Sequence, residues 1–595
     1  MLREDRVSRT DETCHTFRCK LLPVYSGERI PYPFSIVNGR KGISPSLSAF
    51  LTQAWAGLYN ETESYRKARP RGTLRDIRPM ACAGREYTMY VLGIDIGTSC
   101  AKCLLMTRDG RVMARKSQEY PLLVPQPGWA EQDPAWWVQA AFACIREMLA
   151  GSGIDPGMIE GISFSGQMHG LVPLDREGNV IRRSILWCDQ RTEAQCREIE
   201  EKAGGRESLL GMTNNVMLAG YTGGKLLWLR EHEPDSFRRM RVFLCPKDYL
   251  RYRLTGQICM DVSEASGTGL FDTRNRCWSM PLLKALDLDP AIFPRTLEST
   301  EQAGSVSAEA AACTGLVTGT PCFAGGGDAV VQSFGSGLIR EGRVGTVIGT
   351  AGNVSMGFEK YTPNPGGKLQ AFCGVTPGSY MSFGATQTAG GALRWFRDEA
   401  CPDILAKAKA EDRDAFDLMS AMASESQPGA GGVVFAPYLS GERCPWPDAA
   451  ARGVLYGVSL STRRADMIRA VMEGIVYSLC QIVDIYRSFT EVHSAAASGG
   501  GARGRLFLNM QADIFGVPVV TLSAASEGGA YGAALIAGMG AGWYETPEEA
   551  VGVLRTEQVI KPEAANRAAY EKAYGLYSRI YPALRDVFQY GASQA

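Results

Sequence analysis

Histidine is scarce in this sequence, and other features that would assign a broad class of protein are also missing. Only 4 of 595 residues are His, so a zinc site, which draws mainly on His and Cys, is not expected. Basic and acidic residues number 63 each, and this balance argues against nucleic acid or an anionic membrane as the main partner. We find no run of about 18 mainly apolar residues, so a membrane-spanning helix is not expected.

The cysteines form no recognisable framework. They number 17, an odd count scattered along the chain, and this spread suits a reducing compartment. The first residues are charged and lack the apolar core of a signal peptide. These features predict a cytoplasmic protein.

Residues 1–88 differ in composition from the rest of the chain. They contain 15 basic and 9 acidic residues, with frequent Pro and little periodicity. A basic arm or targeting sequence is one interpretation, although the acidic residues argue against a transit peptide. A non-native or poorly ordered extension is the other, and we favour it because Met89 directly precedes the first strong strand pattern.

From Tyr90 onward the pattern is typical of an α/β protein. Apolar runs over residues 90–96, 101–106 and 111–117 are broken by Gly and Asp turns, which predicts an antiparallel meander. Asp133 and Pro134 then provide the cap and first turn of a helix toward residue 149. A similar pattern of two apolar runs on either side of a Gly-Thr turn recurs at residues 344–358. A helical pattern spans residues 466–486. We therefore predict a duplicated α/β unit with a boundary near residues 334–342.

Asp95 is the first candidate for chemistry. It precedes the Gly97-Thr98 turn, whose backbone amides could hold phosphate oxygens, and its carboxylate could hold a hydrated Mg²⁺. An ordinary β-hairpin turn uses the same residue types, so the two interpretations are evenly balanced at this point.

Asp328 follows three glycines, residues 325–327. The absence of side chains lets a substrate approach the carboxylate closely, as a general base requires. A flexible loop or a helix cap would explain the same pattern, because a short helix is predicted over residues 329–333.

The second run of three glycines is Gly499, Gly500 and Gly501, between a predicted strand end and a helix over residues 506–514. A surface without side chains would allow a nucleotide base or ribose to stack, and an ordinary strand-to-helix turn is the alternative. The spacing matches neither the dinucleotide-binding nor the P-loop pattern.

His169 is the histidine most indicative of a ligand. It stands between glycines after an apolar strand, where α/β proteins place ligand contacts. A structural role is the usual default, but the flanking glycines favour a polar ligand. His232 and His493 are expected on surface helices or loops.

Taken together, these motifs resemble the FGGY family of carbohydrate kinases. The similarity rests on residues 93–99, 166–170, 325–328 and 499–502, and on two longer signatures at residues 220–229 and 453–473. Within that family, residues 167–170, 246–250 and 439–443 are most similar to xylulokinases. Three positions depart from the common pattern: Ala329, Ala351 and Cys444.

The resemblance implies an α/β, two-domain, actin-like (ribonuclease H-like) sugar kinase fold with its active site in the interdomain cleft. Residues 89–335 would bind sugar and phosphate, and residues 336–595 would bind the nucleotide. Asp328 would be the catalytic base and Asp95 a second catalytic carboxylate associated with Mg²⁺. Sugar would contact Met168, His169 and Asp328. The residues implied for ATP are Thr98, Ser99, Lys102, Gly349, Thr350, Gly499, Gly500 and Gly501.

The implied activity is ATP-dependent phosphorylation of a ketopentose, with D-xylulose favoured. A kinase of another sugar or polyol, such as L-xylulose or L-ribulose, stays open, as does an actin-like ATPase with a binding or regulatory role. The expected partners are sugar and ATP, without nucleic acid or membrane, and association into a homodimer is left open.

Overall fold

Two twisted sheets organise this chain, as seen in a computed structural model that describes residues 88–523 and 527–594. These residues fall within one compact unit that begins at Glu86. The expectation for residues 1–88 therefore lies almost wholly outside the described residues.

The first sheet is built around the strand Tyr90–Ile96. This strand pairs antiparallel with Cys100–Met106 and parallel with Ile159–Gly166. Its residues from Val91 to Ile96 are all buried, as expected for a strand covered on both faces. In order across the sheet, the strands are Gln302–Ser305, Pro321–Phe323, Ile159–Gly166, Tyr90–Ile96, Cys100–Met106 and Val112–Glu119, and Gly326–Gly327 also pairs with Ile159–Gly166.

The second sheet repeats this arrangement. Its central strand Gly342–Ile348 pairs antiparallel with Gly352–Phe358 and parallel with Val492–Gly499. The predicted duplication of an α/β unit is thus confirmed. In order across the sheet, the strands are Gln370–Cys373, Tyr380–Thr386, Gly352–Phe358, Gly342–Ile348, Val492–Gly499, Val519–Leu522 and Thr556–Ile560.

Short strand pairs and helices complete the described structure. The pairs are Glu131–Gln132 with Ser184–Ile185, Val172–Leu174 with Val242–Leu244, Met260–Asp261 with Thr296–Leu297, Phe271–Asp272 with Cys277–Trp278, and Val434–Ala436 with Val454–Tyr456. The α-helices are Pro134–Ser152, Glu193–Lys202, Arg206–Thr213, Thr222–His232, Pro234–Arg239, Pro246–Thr255, Val262–Gly267, Met280–Ala285, Ala308–Thr314, Asp328–Phe334, Gly390–Ala400, Pro402–Glu411, Ala415–Ala423, Arg464–Arg487, Arg505–Phe515, Gly529–Gly540, Pro547–Gly552 and Arg567–Gln594.

Local sequence signals account for several of these boundaries. The side chain of Asp133 accepts a hydrogen bond from the amide of Ala135, and Pro134 occupies the first turn, as predicted. His232 is exposed at the end of the helix Thr222–His232, as expected. His493 is exposed too but lies in the strand Val492–Gly499, so its expected place in a helix or loop was wrong. Among the described helices, none has the length and hydropathy needed to cross a bilayer.

One helix of the second half packs on the first sheet. The helix Gly529–Gly540, called here the crossing helix, covers the strands Tyr90–Ile96 and Ile159–Gly166. The approach is so close that a Cβ atom on Gly93 would lie 2.0 Å from the carbonyl oxygen of Ala530. The absence of a side chain at Gly93 therefore permits the contact. The helix Pro134–Ser152 covers the opposite face of the sheet.

Candidate active site

Asp95 lies near the carboxyl end of the central strand of the first sheet. Its side chain is buried, and its Oδ1 accepts a hydrogen bond from the hydroxyl of Ser165 at 2.7 Å. Lys102 is its cross-strand neighbour. Burial raises the pKa of Asp95, while Ser165 and Lys102 act in the opposite direction. The crossing helix begins against this carboxylate, because a Cβ atom on Gly529 would lie 2.6 Å from Asp95 Oδ1.

The turn after Asp95 is held by side chains from elsewhere in the chain. The hydroxyl of Thr98 accepts a hydrogen bond from the indole N–H of Trp187 at 2.9 Å, and its carbonyl accepts one from Gln132 Nε2 at 2.7 Å. Ser99 remains exposed. The turn is thereby fixed in place while its outer surface stays accessible.

Gln132 connects this turn to the predicted sugar-contacting segment. Its Nε2 also donates to the carbonyl of Pro121, and its Oε1 accepts from Trp137 Nε1 and from Gln167 Nε2, each at 3.0 Å. The amide is fully buried and uses four hydrogen bonds, which is its full capacity. Gln132 therefore holds the turn at Thr98 and the residue before Met168 in a fixed relation.

Asp328 is the first residue of the helix Asp328–Phe334. The cap residue is Gly327, so the helix-cap interpretation does not apply to Asp328 itself. Its Oδ1 accepts a hydrogen bond from the amide of Ala329 at 2.7 Å. Burial and then the charge of Asp95 raise the pKa of Asp328 to about 7, against the effect of the Ala329 hydrogen bond. A carboxyl group with this pKa can accept a proton near neutral pH.

Met168 packs against the glycine that precedes Asp328. A Cβ atom on Gly327 would lie 2.6 Å from the Met168 sulfur, so only glycine lets the two segments approach this closely. The predicted sugar contact and the predicted base are thus brought side by side.

His169 follows in a left-handed backbone conformation, with φ of 67°. Its Nδ1 lies 2.6 Å from the carbonyl oxygen of Gly267. Burial first, and then the positive charges of Lys225 and Arg443, lower the pKa of His169 to about 3. The ring is therefore neutral, with its proton on Nδ1, and Nε2 is left as an acceptor for a hydroxyl group.

Lys225 holds the backbone of His169 through a hydrogen bond to its carbonyl oxygen. Its ammonium group is fully buried and donates to the carbonyls of His169 and Gly220, both at 2.7 Å. Burial lowers the pKa of Lys225 to about 7. Lys225 therefore fixes the position of the His169 main chain.

The predicted nucleotide residues form a second group on the second sheet. Ile348 pairs with Gly499 across the parallel strands, and a Cβ atom on Gly501 would lie 2.6 Å from the Ile348 side chain. The carbonyl of Gly349 accepts from the amide of Gly390 at 2.8 Å. Thr350, Gly499 and Gly500 are exposed. The two glycine segments thus lie side by side at the carboxyl end of the central parallel strands.

Sequence reasoning gave no role to several residues that the structure places at this site. They are Gln132, Ser165, Trp187, Lys225 and Gly529, together with Ser263, whose hydroxyl accepts a hydrogen bond from the amide of Gly327 at 3.0 Å. The Gly528-Gly529 pair before an apolar helix was a visible signal. A second visible signal was the start of the helix Val262–Gly267. Its cap Asp261 is followed three positions later by the acidic residue Glu264, a spacing that marks a helix start. The contacts of Gln132 and Lys225 join distant segments, and no local pattern indicates them.

Comparison with known proteins identifies the family. Residues 90–335 match the model for the N-terminal domain of the FGGY family of carbohydrate kinases, and residues 346–541 match the model for its C-terminal domain. The chain belongs to the FGGY family of carbohydrate kinases. Membership confirms the resemblance found in the sequence and implies that ATP is the phosphoryl donor.

Individual FGGY relatives cover most of the chain. A xylulose kinase of Bacillus subtilis (strain 168) is 37% identical over 84% of this chain and 98% of its own length. A xylulose kinase of Escherichia coli (strain K12) is 32% identical over 83% of this chain and 99% of its own. The crystal structure of a xyloylose kinase from Brucella ovis superposes with a TM-score of 0.77 at 33% identity, covering 84% of this chain and all of that one. The predicted fold class is confirmed.

Proposed function

We propose that this chain transfers the γ-phosphoryl group of ATP to D-xylulose, giving D-xylulose 5-phosphate, with Asp328 as the general base. The observation that supports this most directly is the Asp328 carboxyl group, whose pKa is raised to about 7 beside a glycine-lined approach. The names of the relatives described above support xylulose as the sugar.

In this mechanism Asp328 accepts the proton of the attacking sugar hydroxyl. The hydroxyl oxygen then forms its bond to the γ-phosphorus, and the bond from that phosphorus to the bridging oxygen of ADP breaks. His169 Nε2 would accept a hydrogen bond from a second sugar hydroxyl, and Met168 would pack against the carbon chain. The backbone of residues 97–99 and of residues 349–350 would face the phosphates, and residues 499–501 the adenosine.

We propose Asp95 as the carboxylate that associates with Mg²⁺. Among the residues at 88–523 and 527–594, no group of three or more His, Cys, Asp or Glu side chains could form a metal cage. Mg²⁺ in kinases is commonly held by one or two carboxylates together with waters and phosphates, so the Asp95 carboxylate fits this donor set. When bound, the ion would neutralise charge on the phosphates.

The domain bounds and the cellular compartment are part of the same proposal. Residues 89–335 would form the sugar and phosphate domain, and residues 336–595 the nucleotide domain, of a cytoplasmic enzyme. A homodimer remains a prediction.

Two measurements test the proposal. Asp328→Asn keeps the size and hydrogen-bonding capacity of the side chain but cannot take the proton. We expect kcat to fall by about 10²–10⁴-fold while ATP binding persists. A variant that keeps more than about a tenth of the wild-type kcat would contradict the assignment.

The second measurement is ADP release across a panel of D-xylulose, L-xylulose, L-ribulose and simple polyols. We expect D-xylulose to give the highest kcat/KM. The side chain of Ala329, beside the proposed base, is a methyl group that cannot hydrogen-bond to sugar. If another sugar of the panel gave the highest kcat/KM, we would attribute that preference to the alanine at this position. ADP release without any sugar at the full rate would instead favour an ATPase.

A further inference from the structure

A six-residue helix, Val262–Gly267, touches both catalytic segments of the first domain, and we call it the junction helix. At its start, the hydroxyl of Ser263 accepts a hydrogen bond from the amide of Gly327 at 3.0 Å. Gly327 directly precedes Asp328. Because the Gly327 amide can only donate, the Ser263 oxygen is the acceptor in that bond. The hydroxyl proton of Ser263 is therefore donated to Asp261 Oδ2, at 2.5 Å. The Ser263 hydroxyl is therefore fixed in orientation.

The start of the junction helix is anchored in a buried group of charges. Asp261 Oδ2 accepts from the amides of Ser263 and Glu264, which caps the helix. Its Oδ1 pairs with the ammonium group of Lys247 at 2.7 Å, and both side chains are fully buried. Lys247 also donates to the carbonyl of Ala324 at 3.3 Å. The segment that leads to Asp328 is thus attached to Asp261 at two points: through Lys247 at Ala324 and through Ser263 at Gly327.

The end of the junction helix contacts the sugar side and the second sheet. The carbonyl of Gly267 accepts the hydrogen bond from His169 Nδ1 described above. Ser266 Oγ accepts from the amide of Cys373, which lies in the edge strand Gln370–Cys373 of the second sheet, at 3.1 Å. One short helix therefore joins the base segment, the histidine and the other half of the molecule.

We propose that Ser263 is a positioning residue for phosphoryl transfer, which acts by holding the Gly327 amide and thereby setting the place of the Asp328 carboxylate. This inference rests on the proposed role of Asp328. The position matters because a proton acceptor must lie within hydrogen-bond distance of the attacking hydroxyl, and a displacement of about 1 Å can cost about 10²-fold in rate. Ser263 touches no reacting atom itself.

Ser263→Ala tests the role directly. The variant removes one hydroxyl and leaves the cap at Asp261 and the ion pair with Lys247 in place. We expect kcat to fall about 10–100-fold while the KM for ATP stays within about twofold, because the effect concerns the base and not the nucleotide. Ser299→Ala is the matched control: Ser299 is a fully buried serine near the same segment, and its hydroxyl has no hydrogen-bond partner in the described structure. We expect it to keep the wild-type kcat.

A double-mutant cycle separates this inference from the proposed function. If Ser263 acts through the base, Ser263→Ala should have little further effect on kcat in an Asp328→Asn background. An equal loss in both backgrounds would overturn the positioning role, and so would a kcat equal to that of Ser299→Ala. A loss proportional to the fraction of molecules that still bind ATP would also overturn it, because that result indicates partial unfolding. Full activity of Asp328→Asn alone would refute the proposed base instead.

Discussion

Replacing Asp328 by Asn should stabilise the protein at alkaline pH while it reduces activity. Burial raises the pKa of this carboxyl group from 3.8 to about 7, so the folded state favours its protonated form. Between these two values the folded state binds more protons than the unfolded state. The free energy of unfolding therefore falls as pH rises from about 4 to about 7. Above that range the ionised carboxylate lowers the stability of the folded state by a constant amount.

The size of this change in stability follows from the difference in the pKa of Asp328 between the folded and unfolded states. Each pKa unit corresponds to about 1.4 kcal/mol, and about two units of the shift lie between pH 5 and pH 7. Asp328 is partly exposed, so solvent screening reduces the full value. We expect the stability of Asp328→Asn relative to wild type to increase by about 1–3 kcal/mol between pH 5 and pH 8.

Denaturant unfolding of both proteins at pH 5 and pH 8 measures this difference. Asp289→Asn is a suitable control, because Asp289 caps an exposed turn and Asn caps equally well. We expect no comparable gain for it at pH 8. In kinetic assays, the same pKa predicts that wild-type kcat/KM for sugar falls about tenfold per pH unit below about 7. If the stability of Asp328→Asn relative to wild type did not increase between pH 5 and pH 8, the argument from burial would be refuted.

Three further predictions concern other parts of the molecule. Gly529→Ala would place a Cβ atom 2.6 Å from Asp95 Oδ1; we expect a loss of activity and a lower Tm, whereas Gly552→Ala, which has open space around it, should preserve both. His169→Ala should raise the KM for sugar several-fold to tenfold and the KM for ATP much less, since about 0.5–1.5 kcal/mol of hydrogen bonding is lost; equal changes in both constants would indicate a structural role. A chain starting at Met89 should fold and phosphorylate sugar, and an insoluble or inactive product would contradict the expectation for residues 1–88.

The sequence was most informative where one segment determines its own structure. Residues 90–96 form a continuous apolar run, and the observed strand Tyr90–Ile96 has the same bounds. The helix predicted over residues 466–486 is observed as Arg464–Arg487. Both predictions succeed because burial of an apolar face and local caps act within a few residues.

Contacts between distant segments could not be predicted in this way. The amide of Gly327 meets the hydroxyl of Ser263, 64 residues earlier in the chain. Lys247 is a charged residue that a pattern would place at the surface, yet it is fully buried because Asp248 and Asp261 pair with it. The geometry of the segment that leads to Asp328 depends on these pairings, so it emerges only from the folded chain.

The crossing helix has a consequence for how the protein is synthesised. The strand Tyr90–Ile96 is covered on one face by Gly529–Gly540, more than 400 residues later in the chain. A ribosome adding about 5–20 residues per second would need roughly 10–40 s to proceed from the end of the first half to the end of this helix. During that interval Val91, Leu104 and Met106, which the helix covers in the finished fold, have no native cover. This apolar surface of the nascent first half therefore stays without its native cover until translation is nearly complete.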